Sequence, residues 1–160
     1  IPGRLEAVEA GQPFKVFVDF AHTEDALFNV LKLLREIAEN RIVTVFGCGG
    51  NRDRTKRPLM GKTACEFSDQ VVITSDNPRH EDPADIIKEI EAGVKAAFTN
   101  YDIVLDRHQA IEKALRSASK DDIVVIAGKG HEKYQIVGDK IHAFDDCEVA
   151  RKILSGSREK

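Results

Sequence analysis

The sequence predicts a doubly wound α/β domain in which helices cover both faces of a mostly parallel sheet. Short apolar segments rich in β-branched residues recur along the chain, as expected of parallel strands that are buried on both faces. Between them lie segments whose apolar residues form the single stripe of a packed helix. This alternation is typical of strand–helix–strand units with right-handed crossovers, and 160 residues are enough for one such domain. We therefore expect a Rossmann-like architecture.

Strands are predicted where β-branched and aromatic residues concentrate. Four nearly continuous apolar segments are expected in the sheet, at 14–19, 42–46, 71–74 and 123–127. A shorter fifth candidate covers 103–105. The segments 134–137 and 140–143 flank Gly138 and Asp139 and predict a hairpin, which would supply an antiparallel edge.

Helices are predicted between the strands from their capping residues. The expected N-terminal caps are Thr23, Asp82 followed by Pro83, Asp106, and Asp145 with Glu148. The stripe of the first helix contains Leu27, Val30, Leu31, Leu34 and Ile37, and that of the helix after Asp82 contains Ile86, Ile90, Val94 and Ala97. Another helical pattern covers 59–67.

Composition excludes several classes of protein. The net charge is −3 and no half of the chain is strongly basic, so we expect no nucleic-acid partner. No apolar segment approaches the roughly 20 residues that cross a bilayer, so we expect no membrane partner. The odd set Cys48, Cys65 and Cys147 lacks metal-ligand spacing, which predicts reduced thiols in a cytoplasmic protein and no metal site. The chain starts at Ile1 without methionine, and we expect a fragment of a longer protein.

A glycine-rich segment follows the second predicted strand, with the sequence FGCGGNRDRTKRPLMGKTA at 46–64. It is not a P-loop, because the position of the first required glycine holds Lys56. It also fails the dinucleotide fingerprint, whose third glycine is replaced by Arg52. The segment instead offers backbone amides and several basic side chains, a combination that suits an anion.

Four polar loops follow the carboxyl ends of predicted parallel strands, at 19–22, 47–52, 76–79 and 128–132. Ligands of open α/β sheets bind at this edge, so we expect the four loops to meet there. Together they contain both acidic and basic side chains. The combination favours a ligand that bears both charges.

Four motifs occur in order along the chain: VDFAHTEDAL, FGCGGNRDRTKRPLMG, SDNPRHEDP and AGKGHEKYQIV. In sequence and spacing they resemble the C-terminal domain of the Mur ligases, and among these the ligases that add meso-diaminopimelate to UDP-MurNAc-L-Ala-D-Glu. The resemblance implies that residues 1–160 form a single amino-acid-binding domain whose N-terminal and central partner domains are absent. It also implies ATP and Mg²⁺ as cofactors, bound mainly by the central domain, and an isolated chain without activity.

The resemblance assigns a diaminopimelate site. Diaminopimelate is lysine with an extra carboxylate on its far carbon, so its distal end needs both a cation and hydrogen-bond acceptors. Arg79 is the expected cation for that carboxylate. By resemblance the full set is Arg52, Asp76, Asn77, Pro78, Arg79, Gly128 and Glu132.

Other residues are assigned to the nucleotide or to proton transfer. Asp19 and His22 match the family's loop near the ATP ribose and base. His131 is a candidate catalytic base, although a loop histidine of this kind is more often structural. Three alternatives stay open: a related ligase that adds L-lysine or another diamine, a stand-alone module that binds a nucleotide or amino acid, and a redox or metal domain.

Overall fold

A computed structural model describes residues 3–158, so the predicted domain limits at 1 and 160 lie outside the described residues. The strands are β1 (Glu6–Ala7), β2 (Lys15–Asp19), β3 (Ile42–Phe46), β4 (Gln70–Ile73), β5 (Tyr101–Ile103), β6 (Ile123–Ala127), β7 (Tyr134–Val137) and β8 (Lys140–Ala143). The helices are α1 (Glu24–Ile37), α2 (Lys56–Phe67), α3 (Pro83–Glu91), α4 (Arg107–Ser117) and α5 (Asp146–Arg158).

Six strands form one sheet in the order β1-β2-β6-β3-β4-β5. The five strands from β2 to β5 in this order are parallel, and β1 pairs antiparallel with β2. Every residue of the central strands β3 and β6 is buried, as expected for strands covered on both faces. The predicted mostly parallel α/β fold is confirmed.

The hairpin lies elsewhere than predicted. β7 and β8 pair antiparallel as expected, but they form a separate two-stranded sheet. The antiparallel strand at the edge of the main sheet is β1, which the sequence analysis does not predict because two residues are too few to show alternation. The fifth strand is also displaced and ends at Ile103, because the chain then turns toward the helix cap at Asp106.

The helices cover the two faces of the sheet with separate apolar cores. α1, α2 and α3 pack on one face, and α4 and α5 pack on the other. Two residues predicted to be buried are exposed. Ile37, the last residue of α1, is 47% exposed. Ala97 is exposed because α3 ends at Glu91 and the following segment consists of turns.

The predicted helix starts are confirmed by hydrogen bonds. Thr23 accepts a bond from the amide of Ala26, and Asp82 from that of Ala84. With the strands parallel, the loops after β2, β3, β4 and β6 leave the same edge of the sheet, where the site is expected.

Candidate functional site

The four polar loops touch one another at the carboxyl edge of the sheet. The amide of Gly128 donates to the carbonyl of Asp19 at 3.0 Å, and that of Gly50 donates to the carbonyl of Asn77 at 2.7 Å. Asn77 Nδ2 also lies 3.4 Å from Glu132 Oε1. The predicted convergence is therefore present, with the loop after β6 linking the other loops.

Two close approaches require glycine. A methyl group placed at Gly50 would overlap the carbonyl oxygen of Pro78, which is buried. One placed at Gly128, whose φ is +118°, would lie 2.7 Å from Asp76 Oδ2. These glycines let the loops after β3 and β6 pack directly against the 76–79 loop.

Arg79 has an unusual backbone conformation. Its φ of +51° lies in the left-handed region, which costs free energy for a residue with a side chain. Two hydrogen bonds from the hairpin hold it there: its amide donates to Ile136 O at 3.0 Å, and Gly138 N donates to its carbonyl at 2.6 Å. The half-buried guanidinium donates from Nη1 to Gly50 O at 2.9 Å. The Arg79 side chain therefore lies against the loop cluster and is half-buried there.

Arg52 lies beside Arg79 across the glycine turn. A methyl group at Gly49 would be 2.8 Å from Arg79 Nη1 and 3.7 Å from Arg52 Cγ. The Arg52 side chain is exposed, and its Nη1 donates to the neighbouring Asn51 O at 2.9 Å. Two arginine side chains that meet at one glycine turn are a combination that suits a carboxylate.

Acidic and amide groups lie around a buried lysine on the other side of the cluster. Lys129 has a side chain with 0% exposure, and its Nζ donates to Asn77 Oδ1 at 2.7 Å and to Tyr134 O at 2.8 Å. The same ammonium lies 3.6 Å from Asp76 Oδ1 and 3.8 Å from Glu132 Oε1. Burial lowers the pKa of Lys129, while the Asp76 carboxylate opposes that shift.

Sequence reasoning missed Lys129 because a lysine in a loop is usually solvated. One signal was present: the lysine lies between two glycines directly after the buried strand β6. Gly128 and Gly130 both have positive φ, at +118° and +57°, and this turn directs the intervening side chain inward.

A second buried cation, Arg57 of α2, supports the glycine turn. Its side chain has 0% exposure and donates to Gly49 O at 3.0 Å and to both carboxylate oxygens of Glu81, at 3.0 and 2.8 Å. Glu81 also accepts from the amide of Asn51 at 2.6 Å. The Arg57 hydrogen bonds lower the pKa of Glu81 to about 2. Within 3–158, Arg57 Nε is a buried atom without a hydrogen-bond partner.

The residues assigned to the nucleotide lie at the end of β2. Asp19 is buried, and its two carboxylate oxygens accept from the amides of Leu5 and Ala21, each at 2.8 Å. His22 is exposed, and its ring packs edge-on against Phe20 at 4.6 Å. The exposed ring of His131 lies on the same aromatic residue, 6.3 Å from its centroid. These contacts place all three candidates around one end of the cluster.

The described residues contain no metal cluster, membrane-spanning helix or disulfide. Among residues 3–158, no group of three or more His, Cys, Asp or Glu side chains is arranged to hold a metal ion. None of the helices in that range is both long and apolar enough to cross a bilayer. All three cysteines are free thiols.

Curated relatives are similar over almost the whole chain. A protein from Solibacter usitatus named UDP-N-acetylmuramoyl-L-alanyl-D-glutamate--2,6-diaminopimelate ligase is 53% identical over 156 residues, which are 98% of this chain and 32% of that protein. A protein of the same name from Clostridioides difficile is 54% identical over 155 residues, covering 97% and 32% of the two chains. The chain thus spans about a third of the length of these relatives.

Solved structures and a family model agree with this similarity. A structure of UDP-N-acetylmuramoyl-L-alanyl-D-glutamate--2,6-diaminopimelate ligase superposes with a TM-score of 0.93 at 41% identity, covering 100% of this chain and 33% of that one. A UDP-N-acetylmuramate-alanine ligase from Thermotoga maritima shares the fold, with a TM-score of 0.66 at 20% identity. The family model described as "Mur ligase, glutamate ligase domain" matches residues 3–130. The chain therefore belongs to the Mur ligase family.

Proposed function

We propose that this chain is the C-terminal amino-acid-binding domain of an ATP-dependent ligase that adds meso-diaminopimelate to UDP-MurNAc-L-Ala-D-Glu. Residues 1–160 form that single domain, and the N-terminal and central domains of the same cytoplasmic protein complete the enzyme. The names of relatives about 50% identical support this proposal. The observation that carries it is the position of Arg79, whose guanidinium lies against the glycine turn beside the Arg52 side chain and donates to the Gly50 carbonyl.

The cluster has the charges that a distal zwitterion needs. Arg79 and Arg52 bind the distal carboxylate through charge-assisted hydrogen bonds. Asp76, Glu132 and the Gly128 carbonyl lie close by and accept from the distal ammonium. Pro78 fixes the backbone between the residues on either side of it.

A ligase that adds L-lysine is the second candidate. Lysine supplies the ammonium but has no distal carboxylate for Arg79 and Arg52. Two cations without a ligand anion would then be partly desolvated at a cost in free energy. The charge pattern therefore favours diaminopimelate.

The domain contributes to catalysis by positioning the nucleophile. In the proposed reaction the γ-phosphoryl group of ATP is transferred to the terminal carboxylate of the UDP-MurNAc-dipeptide, which gives an acyl phosphate and ADP. The amino group of diaminopimelate attacks the acyl carbon, phosphate leaves, and the amine loses a proton. By holding the distal end, the domain presents the reacting amine without the entropic cost of a free encounter.

The nucleotide contacts of this domain are few in the proposal. His22 offers an exposed ring to ATP, and Asp19 orders the loop that presents it through the Leu5 and Ala21 amides. His131 remains a candidate base for the amine proton. Mg²⁺ would neutralise phosphate charge when bound, but the described residues contain no cluster that fits it, so we assign it no ligand here.

Arg79→Ala in the full-length protein tests the proposal. Removing one partner of a desolvated ion pair costs about 2–5 kcal/mol, so the KM for diaminopimelate should rise about 30-fold or more. The preference for diaminopimelate over L-lysine should fall with it. Steady-state kinetics with both amino acids measures these quantities.

Arg116→Ala is the matched control, because Arg116 is 52% exposed and pairs only with its helix neighbour Glu112 among the described residues. Its kinetics should equal those of the wild type. An unchanged KM and unchanged selectivity in Arg79→Ala would refute the proposed site.

A further inference from the structure

Lys129 is a buried ammonium group whose partners belong to the proposed ligand site. It is absent from the residues that the resemblance assigns to diaminopimelate. Burying a lysine is costly unless the ammonium is well paired, and this one has 0% side-chain exposure. Its two short hydrogen bonds reach Asn77 Oδ1 and the Tyr134 carbonyl. The lysine is therefore tied to a site side chain and to the start of the hairpin.

The first consequence concerns the orientation of the Asn77 amide. Asn77 Oδ1 accepts from Lys129 Nζ at 2.7 Å and from the amide of Ile136 at 3.0 Å. Turning the amide over would place Nδ2 against these two donors, so the orientation is fixed. Nδ2 then faces Glu132 at 3.4 Å, which is long for an N–H···O bond. The N–H donors of Asn77 thus lie on the Glu132 side of the residue, and such donors match a carboxylate.

The second consequence concerns charge. Lys129 Nζ lies within 4 Å of the carboxylates of both Asp76 and Glu132. Without this ammonium, two neighbouring carboxylates would favour a ligand that carries only positive charge. With it, the negative charge of Asp76 and Glu132 is partly neutralised. The positive charge of Arg52 and Arg79 then favours a ligand that also carries a carboxylate.

We propose that Lys129 is a positioning residue that sets selectivity. It fixes the Asn77 amide with its donors toward the distal carboxylate, and it neutralises Asp76 and Glu132 so that a distal zwitterion binds better than a lone distal ammonium. This inference rests on the proposed function and names a determinant of its specificity.

Lys129→Met in the full-length protein tests the inference, since methionine keeps much of the length of the side chain without the charge. The KM for diaminopimelate should rise about tenfold or more, while the inhibition constant of L-lysine as a competitor stays the same or falls. A merely structural role would weaken both amino acids alike. An unchanged ratio of the two constants overturns the inference.

Two variants sharpen this result. Ile111→Ala removes a buried side chain of α4 on the other face of the sheet and controls for lost stability, so its ratio should match the wild type. The double variant Lys129→Met/Asn77→Ala tests the route of action. If Lys129 acts through Asn77, the double variant raises the KM for diaminopimelate by less than the product of the two single-variant increases. An increase equal to that product overturns the coupling.

A crystal structure of the wild-type protein with diaminopimelate keeps the inference testable if Lys129→Met does not fold. A ligand carboxylate oxygen should lie within hydrogen-bond distance of Asn77 Nδ2, and a ligand ammonium in that place overturns the inference. A wild-type protein that adds no diaminopimelate overturns the proposed function as well. If only the inference about Lys129 fails, the wild-type protein still adds diaminopimelate, so its failure can be distinguished from failure of the proposed function.

Discussion

Buried cations organise this site at the scale of single residues. Arg57 donates a hydrogen bond to the Gly49 carbonyl of the glycine turn, and Lys129 donates one to Asn77 Oδ1. Each is paired with oxygens, as a buried charge requires. Arg52 is exposed and Arg79 is half-buried, so both side chains are accessible to a ligand. The buried cations therefore hold the loops in place, and in the proposed site Arg52 and Arg79 supply the binding charge.

Glu81→Gln should reduce stability in a pH-dependent way. The pKa of Glu81 is lowered to about 2 by the Arg57 hydrogen bonds, whereas the unfolded chain titrates near the usual value of 4.5. The ionised carboxylate thus contributes its full stability above about pH 5, and this contribution is lost as the pH falls toward 2. We expect a loss of about 2 kcal/mol at pH 7 and a smaller one at pH 3, measured by urea unfolding.

Glu112→Gln serves as the comparison, because its ion pair with Arg116 is exposed and should contribute little. A difference between wild type and Glu81→Gln that does not vary with pH would contradict the assignment of the pKa shift to the folded state.

The three thiols should be unreactive in the folded protein. Burial raises the pKa of Cys48 to about 12 and that of Cys65 to about 11, and burial with the nearby Glu6 carboxylate raises that of Cys147 to about 12. Since the thiolate is the reactive form, labelling by a thiol reagent at pH 8 should be slow until the protein unfolds. Ellman's reagent with and without denaturant measures this, and a thiol that labels as fast as free cysteine in the native protein would be inconsistent with it.

The position of the 76–79 loop was predictable from the sequence, whereas the two buried cations of the cluster were not predicted. Arg79 and the adjacent Asp76 and Asn77 follow a buried strand, so topology alone placed them at the ligand edge. The burial of Arg57 and Lys129 was not predicted, because charged side chains are rarely fully buried. Their burial depends on long-range partners such as Glu81 and Asn77, which no local pattern contains.

At the scale of elements, one buried ion pair joins two helices to the sheet. Arg107 at the start of α4 donates to both oxygens of Asp146, the first residue of α5, at 2.9 and 2.7 Å. The same guanidinium donates to the carbonyl of Ser75, two residues after β4, and to that of Ala127, the last residue of β6. Both side chains have 0% exposure. The pair thus fixes two helix starts beneath the site loops.

Asp146→Ala should destabilise the fold strongly, because it leaves a buried guanidinium without its counterion. Breaking a buried pair costs about 3–5 kcal/mol, whereas replacing both partners by apolar residues of similar size costs much less. We expect Arg107→Met/Asp146→Leu to be more stable than Asp146→Ala in urea unfolding. If the double variant is less stable than the single one, the hydrogen bonds to the strand ends contribute more than the ion pair.

The elements themselves were mostly predictable, and the exceptions have physical causes. Long apolar strands and the starts of the capped helices were located within one or two residues, because burial and capping are local signals, whereas the helix after Asp82 ends six residues before the predicted Ala97. β1 was missed because two residues on an edge carry no pattern. The hairpin was recognised from Gly138 and Asp139, but its place depends on backbone bonds to Arg79 that the sequence does not show.

At the scale of the whole molecule, one sheet carries an apolar core on each face. The central strands are buried and both helix layers contain fully buried side chains. The four polar loops all leave the carboxyl edge of this sheet. The four motifs could therefore be assigned to one site once the strands were known to be parallel, whereas distances between loops required the structure.

The chain expressed alone should fold but show no turnover. It has its own cores, whereas the proposed reaction needs the ATP-binding central domain and the UDP-sugar domain. A thermal scan should show one cooperative transition, and mixing with ATP, UDP-MurNAc-dipeptide and diaminopimelate should release no ADP, in contrast to the full-length protein. Phosphate or ADP release by the isolated chain would contradict this division of roles.

If substrate choice is read by Arg79 as proposed, the bridge between Arg79 and Val137 limits how that choice can be re-engineered. The hairpin holds the left-handed backbone of Arg79 through hydrogen bonds to both its amide and its carbonyl. The arginine and the hairpin turn should therefore be transferred together. Transferring residue 79 alone to another ligase would move the side chain without the hairpin that fixes its backbone conformation. A transplant that moves 76–80 together with 134–138 should transfer specificity where the point substitution fails.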